Sequence, residues 1–271
     1  MLIRAGFRIA LSFPQPTAVI LTLHVHPSRA MSLQGLEEFE VSPSVPVGHY
    51  IDSFGNRCDR LFVASGRLEV RNNVVVHDSG EPDVQAWTAP QHNVQDLPDD
   101  VLIFLLASRY CEVDSELKDL AGSLFNSTQP GWPRVQAICN FVFQHLRFDY
   151  MQARSNRTAL EAYRERTAVC RDFTHLAITL CRCMNIPARY CTGYLGDIGV
   201  PLSASPMDFS AWFEAYLGGQ WYAFDPRNNV PRIGRILMAR GRDAADAALT
   251  TTFGPSRLET FEVWTDVASP S

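Results

Sequence analysis

No apolar run in this chain approaches the roughly 18 residues that a membrane-spanning helix needs. The net charge of −5 and the lack of a basic run argue against a nucleic-acid partner. No phosphate-binding loop or dinucleotide fingerprint occurs, and we predict no cofactor. The seven cysteines are odd in number and lack framework spacing, which suits a reducing cytoplasm. These absences indicate a cytoplasmic globular protein with no membrane or nucleic-acid partner, and they predict no particular oligomeric state.

The first third of the chain has the pattern of an all-β domain. Turn residues separate short alternating runs, which predicts a small antiparallel sandwich over residues 1–86. We expect no export signal at the N-terminus, because Pro14 and Pro16 break the apolar run and the residues after them alternate as in a strand. Residues 87–104 are polar and contain prolines, so we predict a linker there and a second domain over residues 105–271.

Helical patterns begin the second domain. Apolar spacing predicts helices around residues 117–124 and 133–146. The capping-box sequence Thr158-Ala159-Leu160-Glu161 predicts the start of a third helix. The polar stretch 147–157 comes shortly before a fourth helical pattern, so it either borders a cleft or forms a plain solvated loop.

One cysteine stands at the start of that fourth helical pattern. Residues after Cys170 recur with the spacing of a helix that buries one face, namely Phe173, Leu176, Ala177, Leu180 and Met184. The first turn of a helix has unpaired N–H groups and the positive end of the dipole, which favour a thiolate. Two interpretations stay open, a catalytic thiol or a buried cysteine, the commonest fate of a free thiol.

A predicted hairpin carries further polar residues. Gly218-Gly219 lies between two aromatic-rich runs and predicts a two-residue turn. Ser210 opens the first strand, and Ser210, Trp212 and Glu214 share one face by the period of two. Asp225 ends the second strand, where the following proline keeps the backbone extended. The turn position puts Asp225 opposite Trp212.

Three separated motifs in this region resemble those of the transglutaminase-like branch of the papain-type cysteine hydrolases. The family pattern is a Gly-x-Cys-x-Asp helix start, a His-Ala-Trp-x-Glu strand and a Phe-Asp-Pro strand end, in that order. The matching segments here are Val169-Cys170-Arg171-Asp172, Ala211-Trp212-Phe213-Glu214 and Phe224-Asp225-Pro226. The resemblance extends over roughly residues 105–230 and is specific, because the three motifs agree in order and spacing.

The resemblance implies a fold and a set of roles. The fold is α+β, with a papain-like transglutaminase core of helices packed on an antiparallel sheet, preceded by the small all-β sandwich-like domain that bacterial members often carry. Cys170 is implied as the nucleophile, with its own backbone N–H helping to hold the oxyanion. Asp225 is implied as the carboxylate that orients the base.

Two positions depart from the family pattern. Ala168 stands where the family usually has glycine, and Ser210 occupies the position of the catalytic histidine. Serine cannot take a proton from a thiol near neutral pH, nor form an ion pair with a thiolate. An imidazole that arrives from another segment, such as that of His145, would restore the base.

The sequence therefore supports two functional hypotheses. The first is cysteine-dependent acyl chemistry on an amide of a peptide or protein substrate, by peptide or isopeptide hydrolysis or by acyl transfer, impaired because Ser210 replaces the usual histidine. The second is a catalytically silent module of the same fold that binds a peptide or protein partner. Ser210 is the feature that separates the two hypotheses.

Two further groups of residues are weaker candidates. Cys181, Cys183 and Cys191 together with His175 suggest zinc, but the cysteine spacing favours buried thiols, and we predict no metal site. His175 itself lies about 140° around the helix from Cys170, so the two side chains cannot meet locally.

An arginine-rich stretch follows Asp225. Ion pairs with nearby acidic residues are the plain explanation of these arginines. A cationic rim that attracts acidic substrates to the cleft is the functional one. The arginines are Arg227, Arg232, Arg235, Arg240 and Arg242.

Overall fold

The computed structural model describes residues 1–202 and 206–268. These residues form a mixed α+β fold, with helices on one antiparallel sheet and a strand-rich N-terminal region, as the sequence predicted. No helix in the described ranges is long and apolar enough to cross a membrane.

Two antiparallel sheets contain the strands of the N-terminal region. The first has the order β14-β1-β6-β3, formed by β1 (Leu2–Phe13), β3 (Glu40–Ser42), β6 (Gly66–His77) and β14 (Arg257–Val267). The second has the order β13-β2-β5-β4, formed by β2 (Thr17–Leu21), β4 (Val47–Ile51), β5 (Arg57–Val63) and β13 (Thr250–Thr252). Alternate side chains of β2 and β6 are buried, and apolar residues of both sheets share one hydrophobic core. Period-two patterning thus gives each sheet one apolar face, and the two faces meet.

The C-terminal strands belong by their pairing to these two sheets. Strand β14 runs antiparallel to β1 along most of its length, and β13 pairs with β2. Without β14, β1 would be an exposed edge strand with unpaired backbone groups. The division of the chain into domains at residues 1–86 and 105–271 with a linker at 87–104 therefore stays a proposal. One part of it is corrected, because residues 250–267 belong with the N-terminal sheets.

A third antiparallel sheet carries the predicted hairpin. Its strand order is β11-β10-β9-β12, formed by β9 (Ala188–Tyr194), β10 (Ser210–Leu217), β11 (Gln220–Phe224) and β12 (Ile236–Gly241). Leu217 pairs with Gln220 across the turn, as the sequence predicted. Gly218 and Gly219 have φ angles of 56° and 90°, a region that glycine enters without steric cost.

Five helices accompany this sheet in the described residues. They are α1 (Asp99–Leu102), α2 (Leu117–Phe125), α3 (Trp132–His145), α4 (Ala159–Glu165) and α5 (Cys170–Cys183). The predicted capping box is present at the start of α4, where Thr158 and Glu161 each bind the other's backbone N–H. Two short parallel strands, β7 (Arg147–Phe148) and β8 (Thr167–Ala168), lie on either side of α4 in the chain.

Helix α5 is the centre of the core. Its eleven residues from Asp172 to Arg182 are all buried. It packs against α2, α3 and α4 and against β9 and β10. Its N-terminal residue, Cys170, is half-buried.

The segment predicted to be a linker is packed against the core. The N–H of Trp132 donates to the carbonyl of Ala89 at 3.0 Å, and Leu97, Val101 and Phe104 are buried. The prolines and aspartates of residues 87–104 predicted exposure, but Phe104 packs against Trp221 and Phe54, and His92 packs near Tyr216. The segment is therefore a packed connection.

Strands β1 and β14 approach closely at Gly6, so a larger residue there should destabilise the fold. The Trp264 indole of β14 lies over Gly6 of β1, and a methyl group there would overlap that ring and the carbonyl of Asn72. Gly6→Ala should lower the free energy of unfolding by about 1–3 kcal/mol. Urea titration measures this effect as a lower midpoint with an unchanged slope.

Gly48 provides the matched control. A methyl group on this exposed β4 residue would be 3.7 Å from the Arg60 carbonyl, an ordinary contact. Gly48→Ala should therefore stay within about 0.5 kcal/mol of wild type. Equal midpoints for the two variants would contradict the packing of Trp264 on Gly6.

Candidate active site

Cys170 begins α5, as predicted, and a buried carboxylate fixes its position. Asp172 is fully buried and accepts the N–H of Val169 at 3.1 Å, which satisfies a donor before the first turn of the helix. The Arg157 guanidinium donates to the same Asp172 carboxylate at 2.7 Å. The segment 147–157 is thus tied to the helix start and borders the cleft.

The thiol of Cys170 faces the start of strand β10. The backbone N–H groups of Ala211 and Arg171 point at the sulfur and favour the thiolate. Burial outweighs them and, together with the negative charge of Asp208, raises the pKa of Cys170 to about 11. Our prediction that the helix start depresses this pKa is wrong, because desolvation penalises the charged form more than the helix end stabilises it.

Ser210 is where the motif predicted it, on the first residue of β10. It is buried and pairs with Gly193 of β9, and its carbonyl accepts the Thr192 hydroxyl at 2.9 Å. Ala211 and Phe213 belong to the core that contains α5, whereas Trp212 packs with Cys191 on the other face of the sheet. By strand alternation Ser210 shares the face of Trp212.

Asp225 follows β11 directly, one residue beyond the Phe213–Phe224 pair that ends the ladder of β10 with β11. Its Oδ1 accepts the N–H groups of Arg227 and Asn228 at 3.1 and 2.9 Å. Its Oδ2 accepts the Asn228 side-chain amide at 2.8 Å and the Arg235 guanidinium at 3.0 Å. Burial opposes the ionised form, but Arg235 and these hydrogen bonds outweigh it, and the pKa of Asp225 is lowered.

Arg235 holds Asp225 where an imidazole would otherwise be its partner. It is itself buried, and its Nε lies 2.9 Å from both oxygens of Asp83. Its guanidinium carbon lies 5.1 Å from the centre of a Trp212 ring. Asp225, Arg235 and Asp83 form one buried ionic chain that needs no histidine.

The seven histidines make their contacts elsewhere. His145 Nε2 donates to the Tyr163 carbonyl at 2.7 Å, and the ring stacks on that of Tyr163, so His145 does not supply the missing base. His175 is buried against Tyr110 and Tyr190, and burial holds its pKa well below the usual value. His92 packs near Tyr216. The remaining four lie in the N-terminal sheets and their loops, namely His24, His26, His49 and His77.

No group of three or more His, Cys, Asp and Glu side chains within the described ranges could hold a metal ion. Cys181 and Cys191 are fully buried, and Cys183 is half-buried. Burial raises the pKa of Cys183 to about 11, as it does for Cys170.

Two residues near the thiol were missed in the sequence. Asp208 raises the pKa of Cys170, and the Tyr150 hydroxyl donates to Asp208 at 3.1 Å. Asp208 stands two residues before Ser210, so the period of two could have put it on the catalytic face. Tyr150 lies in the segment that we had described only as a possible cleft border, and nothing in its sequence marks it individually.

The raised pKa makes a prediction about alkylation. The rate at which iodoacetamide modifies Cys170 should rise about tenfold per pH unit from pH 7 to pH 10, because only the thiolate reacts. Peptide mapping by mass spectrometry measures this rate. Cys183, half-buried with a pKa also raised to about 11, is the matched comparison, and the five buried cysteines should be protected. A rate for Cys170 that levels off below pH 8 would contradict the assigned pKa.

Comparisons with known proteins agree with the geometry. The model of the transglutaminase-like superfamily matches residues 118–226. A solved structure from Cytophaga hutchinsonii, named a putative cysteine protease, is 30% identical, and the match covers 100% of this chain and 92% of that chain with a TM-score of 0.85. An uncharacterized protein of Mycobacterium leprae is 27% identical over 79% of this chain and 78% of its own length. The chain belongs to the transglutaminase-like superfamily.

Proposed function

We propose that the chain binds a peptide or protein substrate beside Cys170 and performs slow cysteine-dependent acyl chemistry on an amide. The observation that carries this proposal is the placement of Cys170 at the start of a buried helix, with its sulfur against the backbone of Ala211 at the start of β10. Membership of the superfamily and the name of the Cytophaga relative support the same chemistry. We keep the cytoplasm as the proposed location.

The reaction follows from the groups present. The Cys170 sulfur adds to the amide carbonyl carbon, and the amine leaves with a proton taken from solvent. Water or a second amine then displaces the sulfur from the thioester, which regenerates the thiol and releases an acid or a new amide. Backbone N–H groups at the helix start would hold the oxyanion. The proton of the thiol passes to solvent, since Ser210 cannot accept it. With a pKa of about 11, only about one thiol in ten thousand is ionised at pH 7, which makes the attack slow.

One observation favours the second candidate, a silent module that binds a peptide or protein partner. Asp225 has four hydrogen-bond partners, and none of them is an imidazole. Its carboxylate serves to hold the loop after β11 and the buried Arg235. A cleft of this kind keeps its shape without any proton-transfer role for Asp225.

Ser210→His separates the two candidates. If the cleft is otherwise competent, the imidazole should deprotonate Cys170 and raise turnover of a p-nitrophenyl ester by about 10²–10⁴-fold over wild type. The Arg235 ion pair competes for Asp225, so we expect the lower end of this range. Ester hydrolysis and Cys170 alkylation at pH 6.5 are the two measurements.

Two variants serve as controls. Ser210→Ala should leave the rate unchanged, because serine is not the base, and Cys170→Ala gives the background rate without the thiol. If wild-type turnover equals that of Cys170→Ala, the native chain does not perform the proposed chemistry. If Ser210→His is inert and its Cys170 is alkylated no faster than in wild type, the binding module becomes the favoured function.

A further inference from the structure

The arginines that follow Asp225 are not equivalent. Arg232 lies 3.5 Å from Asp197, Arg235 bridges Asp83 and Asp225, and Arg242 pairs with Asp246. For these three, ion pairing is the explanation. Arg240 and Arg227 have no carboxylate within 4.0 Å of the guanidinium in residues 1–202 and 206–268, and Arg240 Nε donates to the carbonyl of Phe54 at 3.3 Å. Of these two arginines, Arg227 is the one whose charge acts on Cys170.

The Arg227 guanidinium rests on an aromatic ring. Its central carbon lies 4.0 Å from the centre of the Phe148 ring. Phe148 is partly exposed, and the guanidinium is half-buried. A guanidinium on an aromatic face keeps the N–H groups at its edge available, and that edge matches the two oxygens of a carboxylate.

The backbone fixes this cation at the edge of the cleft. The Arg227 N–H donates to Asp225 Oδ1 at 3.1 Å. On the opposite side, Phe148 pairs with Ala168, two residues before Cys170. The guanidinium therefore lies between the loop after β11 and the segment that leads into the nucleophile.

The electrostatic environment of Cys170 agrees with the position of Arg227 at the edge of the cleft. Arg227 opposes the rise that burial and Asp208 impose on the pKa of the thiol. Asp208 is the acidic neighbour, and burial raises its pKa although the Tyr150 hydroxyl donates to it. Asp208 interacts with Arg227 only from beyond ion-pair distance, so the Arg227 edge is not taken by a carboxylate of the described chain.

We propose that Arg227 binds a carboxylate of the ligand, so that the peptide or protein held beside Cys170 is acidic next to the reacting amide. The inference rests on the proposed function, because it assigns the ligand class of the same cleft. The carboxylate is either an acidic side chain or a chain end, and the chemistry of recognition is the same for both.

A pair of alkylating agents tests the cation directly. Iodoacetate is an anion and iodoacetamide is neutral, and both alkylate the Cys170 thiolate with loss of iodide. The ratio of their rates cancels the ionised fraction of the thiol and reports the local charge. Arg227→Gln should lower the ratio of iodoacetate to iodoacetamide by about two- to fivefold, and added salt should lower it in wild type.

Two other variants make the test selective. Arg60→Gln removes the same charge from an exposed residue of β5 and should leave the ratio unchanged. Asp208→Asn removes the opposing carboxylate and should raise the ratio, which keeps the proposal falsifiable if Arg227→Gln does not fold. A ratio that is the same in wild type, Arg227→Gln and Asp208→Asn overturns the proposal.

Small competitors distinguish the two sources of the carboxylate. N-acetylglutamate α-amide carries a side-chain carboxylate, N-acetylglutamine a terminal one, and N-acetylglutaminamide neither. Stronger protection of Cys170 from iodoacetamide by the first indicates an acidic side chain, and by the second a chain end. If neither acid protects better than the neutral compound, the proposal is wrong.

These measurements do not depend on turnover. Failure of the proposed chemistry would appear as ester hydrolysis equal to that of Cys170→Ala, with the charge effect of Arg227 intact. Failure of the carboxylate site would appear as an unchanged alkylation ratio, whatever the rate of hydrolysis.

Discussion

The buried ion pair between Arg157 and Asp172 is the interaction on which the cleft depends. A fully buried carboxylate is costly unless it is paired and hydrogen-bonded, and Asp172 meets that requirement through Arg157 and the Val169 N–H. The same contacts determine where α5 begins and tie the segment after β7 to it. This ion pair therefore positions Cys170 at the helix start. It also positions the edge of the cleft and the sheet that packs on α5. Arg171 also donates to Asp172 at 3.0 Å and Arg157 also pairs with Glu165 at 2.9 Å, so the pair is part of a wider ionic network at the helix start.

The motif residues have structural partners that do not involve histidine. Asp172 caps α5, Trp212 packs with Cys191 and lies beside Arg235, and Asp225 anchors the loop after β11. Each of these contacts stabilises the fold whether or not an imidazole is present. This explains how the family geometry can persist around Ser210. In this chain the positions of the motif residues therefore do not depend on a catalytic histidine.

The parts that the sequence predicted are those set by local rules. The apolar spacing after Cys170 located α5, and the Gly218-Gly219 turn fixed the register of β10 with β11. The capping box located the start of α4 in the same way. Each of these features depends on residues within a few positions of one another.

The parts that the sequence did not predict depend on distant segments. Strand β14 pairs with β1 across almost the whole chain, and no local pattern names that partner. The ion pair of Arg235 with Asp83 joins residues 152 positions apart. The pKa of Cys170 is set by burial and by Asp208, which outweigh the helix-end effect that the sequence does reveal.

The burial that stabilises α5 also determines which groups in the cleft are charged. Desolvation keeps the Cys170 thiol neutral, so the nucleophile itself contributes little charge near neutral pH. The remaining charges are then Asp208, held by Tyr150, and Arg227, which has no carboxylate partner in the described chain. Recognition of an anion by Arg227, as we propose it, requires no ionised thiol. In the function that we propose, the specificity of binding is therefore independent of the rate of the thiol chemistry.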